Sequence, residues 1–274
     1  GLLISRILFI KDVNILNFIQ RRFNRTFPLF FVFVSAVYGA SWIFSLSSEH
    51  ENYFYTLTFL RNYAPDTPDF WNSGIPVGHL WSLCVEEHSY LFLALLTLVP
   101  MFKHREYLVI LGVGGLCIVF RFLHETVLSP PGSYYYEFQT HTAASHILFS
   151  AGYYLLRTKY GIKVPPYLPL ISFVFALLCF TSVAPGGSSW AFSPILLAFA
   201  VNHLGETYEA VKKALSTKAL CQLGIISYSI YLWQQPFYYY GVKFDIAFPF
   251  AGPILLIVAV AVGYVSFKVI ENPS

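Results

Sequence analysis

Two adjacent carboxylates, Glu86 and Glu87, stand inside an apolar stretch that His79 and Ser82 precede. Spacings of three and four residues place His79, Ser82 and Glu86 on one face of an α-helix. A carboxylate beside an imidazole is an arrangement that orients a general base. The alternative is that the acids only stabilise a helix N-terminus, and the residue types leave both interpretations open. Metal ligation by His79 and His88 is the less favoured reading, and we expect no metal.

A second candidate site is the basic pair Arg22 and Arg25. The two residues are three apart, so they share a helix face. Two guanidinium groups can bind a phosphate or pyrophosphate through paired hydrogen bonds. An anchor to anionic lipid headgroups is the alternative, and spacing alone favours the anchor.

Polar side chains also recur in two later apolar stretches. Ser227, Tyr231 and Gln234 lie on one helical face, where they could bond neighbouring helices or line a substrate path. His141 and His146 fall within one apolar stretch, and two histidines at such a depth leave a structural and a functional role equally open.

The composition is that of an integral membrane protein. Hydrophobic residues make up 56% of the 274 residues, charged residues 11%, and the mean hydropathy is +0.58. Soluble domains carry about 25% charged residues, so this chain lacks the polar surface that water requires. The net charge of +3 is too small to indicate a nucleic-acid partner. Membrane lipids are therefore the expected surroundings.

Apolar runs of the length that crosses a bilayer predict an all-α, polytopic transmembrane helical bundle with about eight spans. No repeat or low-complexity linker interrupts the chain, so residues 1–274 are expected to form a single domain. The predicted spans are 27–47, 83–102, 106–123, 139–156, 167–184, 190–204, 221–241 and 249–268.

The distribution of basic residues predicts the orientation of these spans. With residues 1–26 in the cytoplasm, 14 of the 17 Lys and Arg residues fall on the cytoplasmic side. The outer side keeps only Arg61, Arg121 and Lys243. Because positive charge is enriched in cytoplasmic loops, both ends of the chain are expected to face the cytoplasm.

Several stretches together resemble the acyltransferase-3 family of bacterial membrane O-acyltransferases. The stretch WSLCVEE covers residues 81–87, with Tyr90 behind it, and SYSIYLW covers residues 227–233. The RFNR run at residues 22–25 and the two ends of the chain, at 1–6 and 268–273, are also similar to the family. The resemblance therefore extends over essentially the whole chain, in the family's order.

The resemblance implies transfer of an acyl group, usually acetyl from acetyl-CoA, to a hydroxyl of a sugar or lipid-linked sugar in the bacterial plasma membrane. It implies that Arg22 and Arg25 bind the phosphates of acyl-CoA. A histidine of the family's first helix would act as the general base or carry the acyl group itself. Glu86 would orient or charge-stabilise that base, with His79 and Ser82 completing the polar stripe. Further residues are expected to line the substrate path: Trp81, Glu87, His141, Ser227, Tyr228, Tyr231, Trp233 and Gln234.

The resemblance also implies ten helices, of which this chain would hold the last eight. The family's catalytic histidine lies in the first helix, so we expect an N-terminally truncated chain that is inactive by itself. The chain departs from the family at Ser89, where Phe is usual, and at Gln234, where His is common. Ala143 and Ser145 stand where the family commonly has Arg and Asp, which leaves the acceptor open.

Two other functions fit the same residues. A permease for a small polar or lipid-linked solute would use the intramembrane His and Glu for proton coupling. Such transporters often carry inverted repeats and broken helices, and the sequence shows no repeat. A family member that has lost turnover and only binds acyl-CoA or a glycan is the other alternative.

Overall fold

The computed structural model describes residues 1–11, 13–45, 51–64, 75–129, 134–243 and 251–271. In these ranges the chain forms α-helices with short 3₁₀ and π turns and contains no β-strand. The eight α-helices of ten or more residues are α1 (Ile15–Ile43), α2 (Trp81–Leu96), α3 (Glu106–Leu123), α4 (Ser145–Tyr160), α5 (Leu168–Leu178), α6 (Ser193–Asn202), α7 (Lys218–Lys243) and α8 (Ala251–Ser266). Shorter helices are Leu2–Ser5, Asn52–Leu57, Thr140–Ala143, Ser188–Ala191 and Glu209–Leu215.

The all-α helical bundle predicted from the sequence is confirmed. Each of the eight predicted spans overlaps one of the helices α1 to α8. The largest difference is at α1, which begins at Ile15 rather than at residue 27. The polar residues from 20 to 25 therefore continue the helix, because a long helix can carry a polar first half beyond the hydrocarbon region.

Three helical segments of the described chain are long and apolar enough to cross a membrane, namely Ile15–Ile43, Glu106–Leu128 and Gly252–Glu271. Two shorter apolar helices are α5 and α6. In lipid, backbone N–H and C=O groups can only bond within their own segment, so a spanning segment must be a helix. Long apolar helices of this kind are those of a membrane protein. Eight crossings, and their orientation, stay predictions.

The chain divides into two compact units that interleave along the sequence. Unit 1 contains residues 1–18 and 85–216, and unit 2 contains residues 19–84 and 217–274. Two of the three boundaries fall within α1 and α2, and the third lies just before α7. Glu86 therefore belongs to unit 1, whereas His79 and Ser82 belong to unit 2. The expectation of a single domain stays a prediction.

In unit 1, helix α4 packs against α3 and α6, and α6 packs against α5. Gly152 permits the close approach of α4 to α3, because a Cβ atom there would stand 2.7 Å from Leu111 Cγ. Small residues at such contacts are typical of membrane helices. Helix α4 ends at Gly161, whose φ of 62° is readily adopted by glycine.

In unit 2, a cluster of buried side chains joins α1, the turn before α2 and α7; it includes Leu29, Phe30, Phe33, Leu80 and Leu232. Helix α8 packs along α7. This core surrounds the candidate site described next.

Candidate functional site

His79 lies in the core of unit 2. It belongs to a 3₁₀ turn, Gly78–Leu80, that leads directly into α2. Its side chain is only 5% exposed, and its ring packs edge-on against Phe33 and Tyr231, at centroid distances of 5.9 and 4.9 Å. The predicted face shared by His79, Ser82 and Glu86 requires helical spacing from His79 onwards, whereas the α-helix itself begins two residues later at Trp81.

The imidazole of His79 is buried without a hydrogen bond on either ring nitrogen, within the described residues. The backbone at Tyr231 and Leu232 lies next to the ring. Buried polar groups in folded proteins are nearly always hydrogen-bonded, so an exception calls for a functional or structural reason. Among the described residues, the nearest polar groups to this ring are those of the Tyr231 and Leu232 backbone, and neither meets the geometry of a hydrogen bond.

The hydroxyl groups of Ser82 and Tyr231 lie beside the backbone of His79. Tyr231 donates to the His79 carbonyl at 2.6 Å, and its oxygen lies 2.8 Å from Ser82 Oγ. Since the single hydroxyl proton of Tyr231 is used on the carbonyl, Ser82 is the donor between the two hydroxyls. The turn that carries His79 is therefore fixed by α7. We name His79, Ser82, Tyr231 and Phe33 the His79 cluster.

The other predicted residues of α7 divide into two groups. The Tyr228 hydroxyl donates to the Thr26 carbonyl at 2.9 Å, and Trp233 Nε1 donates to Ser266 Oγ at 3.0 Å. Ser227 is exposed, and its hydroxyl donates to the Gly224 carbonyl of its own helix at 2.9 Å. These bonds tie α7 to α1 and α8, as expected for polar groups in a helical bundle.

The sequence pattern missed Ser229, which is fully buried and donates to the Glu271 carboxylate. It lies on a different face of α7 from Ser227 and Tyr231. Gln234 is half-buried. Ser229 lies off the predicted polar face, so nothing in the sequence indicates that its hydroxyl is buried and hydrogen-bonded.

Arg22 and Arg25 lie in the first half of α1, as the spacing predicted. Arg22 is half-buried and Arg25 is exposed. One helical turn separates them, so both can face one anion. The Thr26 hydroxyl bonds back to the Arg22 carbonyl at 3.0 Å.

Glu86 and Glu87 lie on α2, where both are half-buried, as is Trp81 at its first residue. Ser89 is 2% exposed and bonds to the Val85 carbonyl of its own helix at 2.7 Å. A helical partner of this kind removes Ser89 from the reactive groups. The catalytic assignment of Glu86 stays a prediction.

In unit 1, His141 lies in the short helix Thr140–Ala143, and its Nε2 atom is 3.2 Å from His124 Nε2. The neighbouring Thr140 hydroxyl contacts His88 Nδ1 at 2.7 Å. His146, the second histidine of the predicted stripe, lies 3.5 Å from Ser193 Oγ. The two histidines of that stretch therefore have different surroundings.

A polar network that sequence reasoning missed lies at the end of α6. His203 is fully buried, and its Nε2 atom bonds to the Tyr153 hydroxyl at 2.8 Å while its Nδ1 atom bonds to Glu206 at 3.0 Å. Arg157 forms an ion pair with the same carboxylate. We name these four residues the His203 network. The charges and hydrogen bonds fit one another, which is typical of a structural role.

The carboxyl of Glu206 lies beyond the apolar helices and is held in its charged form. Burial alone would raise its pKa, but hydrogen bonds from Val164 and His203 and a nearby guanidinium hold the pKa below its ordinary value. The Val164 N–H donates at 2.9 Å. This carboxylate therefore links the loop after α4 to the end of α6.

Arg61 is a further residue that the sequence treated as an ordinary basic group of an outer loop. Its side chain is 1% exposed in unit 2, in the 3₁₀ turn Arg61–Tyr63. Buried guanidinium groups are rare unless paired. A single sequence carries no signal that distinguishes the buried Arg61 from the exposed arginines.

Comparisons with known proteins place the whole chain in one group. The model of the acyltransferase-3 family, described as an acyltransferase domain, matches residues 1–269. No curated protein and no solved structure matches the chain. The match runs through both units and includes all the residues of the His79 cluster and the basic pair.

Proposed function

The chain belongs to the acyltransferase-3 family, and from that premise we propose that it is a membrane O-acyltransferase. It moves an acyl group, acetyl in the first instance, from acyl-CoA to a hydroxyl of a cell-envelope or exported glycan. The observation that carries the proposal is the family match over residues 1–269. The enrichment of basic residues on one side supports a bacterial plasma membrane protein with both ends of this chain in the cytoplasm.

The reaction requires a group that removes a proton. The acceptor oxygen forms a bond to the acyl carbon, the carbon–sulfur bond of the thioester breaks, and the acceptor proton passes through a base to the leaving thiolate. The resemblance assigns this role to a histidine of the family's first helix, and we propose that His79 assists it. Its ring nitrogens make no hydrogen bond in the described residues, while its backbone carbonyl is held by Tyr231. Ser82, bonded to the same tyrosine, is proposed to contact the acceptor.

Glu86 is proposed to stabilise the positive charge that the base gains. The change Glu86→Gln keeps the shape and removes the charge, so acyl transfer should fall by about 100-fold or more. Initial rates in membranes with matched protein amounts measure the effect. The adjacent change Glu87→Gln is the matched control and should cost less. Full transfer by Glu86→Gln would remove Glu86 from the catalytic residues.

Arg22 and Arg25 are proposed to bind the phosphates of CoA. Charge-assisted hydrogen bonds contribute about 1.5–3 kcal/mol each, so Arg22→Ala with Arg25→Ala should weaken acetyl-CoA affinity by at least about tenfold. Arg21→Ala, an exposed neighbour, is the control. Equal acetyl-CoA affinity in all variants would indicate that Arg22 and Arg25 anchor the helix to lipid headgroups instead.

The proposed substrate path in unit 2 includes Tyr228, Tyr231 and Trp233, whose polar atoms face other elements of the unit. For the remaining residues of the predicted path, a role in substrate contact stays a proposal; these are Trp81, Glu87, His141, Ser227 and Gln234.

The test is transfer of radiolabelled acetyl from acetyl-CoA in membranes that express the complete gene, followed by fractionation of the acceptors. Label in a glycan fraction, lost in His79→Gln, is the expected result. Binding of acetyl-CoA without any transfer would instead indicate a family member without turnover. Neither binding nor transfer, with uptake of a solute, would favour the permease.

A further inference from the structure

The most distinctive geometry outside the His79 cluster is the pair of imidazoles in unit 1. His124 begins a π turn, His124–Leu128, that follows α3, and His141 lies in the helix Thr140–Ala143. Their Nε2 atoms are 3.2 Å apart, and the ring centroids are 5.3 Å apart. Two imidazole ligands of one tetrahedral zinc ion, with Zn–N distances of about 2.0–2.1 Å, have their nitrogens about 3.3 Å apart.

The second nitrogen of His124 has the partner that a metal ligand needs. His124 Nδ1 lies 3.0 Å from Ser129 Oγ. When Nδ1 donates its proton to this hydroxyl, Nε2 carries the lone pair and points towards His141. Histidines that bind metals almost always donate their other N–H to such a group, which fixes the ring and its tautomer.

Aromatic side chains hold both rings in place. The His124 ring stacks on Tyr136 at a centroid distance of 5.3 Å and an angle of 12°. His141 meets Phe120 edge-on at 5.9 Å. Ligands that are positioned before the ion arrives lose less conformational entropy on binding.

Two acidic residues stand close to the pair along the chain. Glu125 directly follows His124 and is exposed to solvent, whereas Glu137 is ion-paired with Arg121 at 2.9 Å.

We propose that His124 and His141 bind one divalent transition-metal ion of the Zn²⁺ class through their Nε2 atoms. The described residues contain no group of three or more His, Cys, Asp or Glu arranged for a metal. The protein thus supplies two ligands and water takes the other positions, which is one protein ligand fewer than in a typical catalytic zinc site. This inference departs from the sequence expectation of no metal and is independent of acyl transfer.

The test is titration of Zn²⁺ into the purified complete protein in detergent after removal of metals with a chelator. Calorimetry should show one ion per chain. His124→Gln and His141→Gln should each weaken the Zn²⁺ affinity by about 100-fold or abolish binding. Ser129→Ala keeps both ligands and should weaken it by about tenfold, since loss of a supporting hydrogen bond typically costs 10–100-fold.

The control is His104→Gln, because His104 is an exposed histidine on a different loop and should leave the affinity unchanged. Thermal unfolding with and without Zn²⁺ separates loss of the site from loss of the fold. A rise in Tm with Zn²⁺ should occur in the parent and the His104 variant only. If one histidine variant does not fold, the other and Ser129→Ala carry the test.

Two results would overturn the proposal. One is a parent protein that binds no Zn²⁺, and the other is unchanged affinity in both histidine variants. In either case the pair is a direct N–H···N hydrogen bond between two imidazoles, and its contribution is structural.

Discussion

Two buried histidines of this protein have opposite surroundings. In unit 1, His203 has both ring nitrogens hydrogen-bonded, to Tyr153 and to Glu206. In unit 2, His79 is almost as deeply buried, and neither ring nitrogen has a hydrogen bond in the described residues. The same side chain therefore completes a network in one region and stays uncommitted in the other.

The difference shows that the hydrogen-bond partners of a buried imidazole, and not its burial alone, indicate its role. A satisfied imidazole contributes to stability, because each of its bonds replaces one to water. An unsatisfied imidazole costs free energy in the resting protein, so its retention needs another reason. Proton transfer is such a reason, and on this ground His79 rather than His203 is the residue proposed to take part in the chemistry.

The difference between the two histidines is tested most directly by replacing each of them with glutamine. His79→Gln should lower acyl transfer by about 10²–10⁴-fold, the usual contribution of a group that takes part in proton transfer. His203→Gln should instead lower the free energy of unfolding by about 1–3 kcal/mol, because a buried partner loses its hydrogen bond. Rates in membranes and thermal unfolding in detergent measure the two effects.

The reverse pattern would contradict this assignment. If His79→Gln unfolds the protein and retains transfer per folded molecule, the His79 cluster is structural. If His203→Gln abolishes transfer at an unchanged Tm, the His203 network takes the catalytic role.

A smaller effect is expected from the charges of the His203 network. Arg157→Met should destabilise the protein by about 1–3 kcal/mol, since it removes hydrogen bonds to a charged group. Lys163→Met, a change at an exposed lysine in the loop after α4, is the control. Chemical or thermal unfolding at neutral pH measures the difference, and equal stability of the two variants would contradict an energetic role for the network.

The same network predicts a pH dependence. The pKa of Glu206 is lowered in the folded protein, so its contribution is fully present above the unfolded pKa and is lost as the pH falls through the folded pKa. The parent should therefore lose stability on acidification more steeply than Glu206→Gln. Parallel unfolding curves for the two proteins over acidic pH would contradict the assignment.

The smallest effects should come from removing one hydroxyl from each region. Tyr231→Phe removes the bond to the His79 carbonyl, and Tyr153→Phe removes the bond to His203. Each should cost about 0.5–1.5 kcal/mol of stability. Only Tyr231→Phe should also reduce the transfer rate, because Tyr231 fixes the turn that carries His79. An equal loss of transfer rate in both variants would contradict the different roles of the His79 cluster and the His203 network.

The sequence predicted the helices well because lipid requires each helix to satisfy its own backbone, so local apolar length decides where helices form. Every predicted span overlaps a helix, and α3 covers the predicted residues 106–123. The start of α1 was wrong, since the polar residues before 27 carry no signal that separates a helix from a loop. The family was confirmed by the match over residues 1–269; its motifs are short continuous stretches, so they can be read without knowledge of the fold.

By itself, then, the sequence determined the membrane class, the helices and the family, whereas its candidate site residues around His79 and Arg22 stay predictions. Only the tertiary structure decided which polar groups have partners. Ser82 meets Tyr231 across 149 residues of sequence, and Tyr153 meets His203 across 50. Spacing along one helix reports a shared face, but a hydrogen bond between helices depends on their packing, which no local pattern specifies.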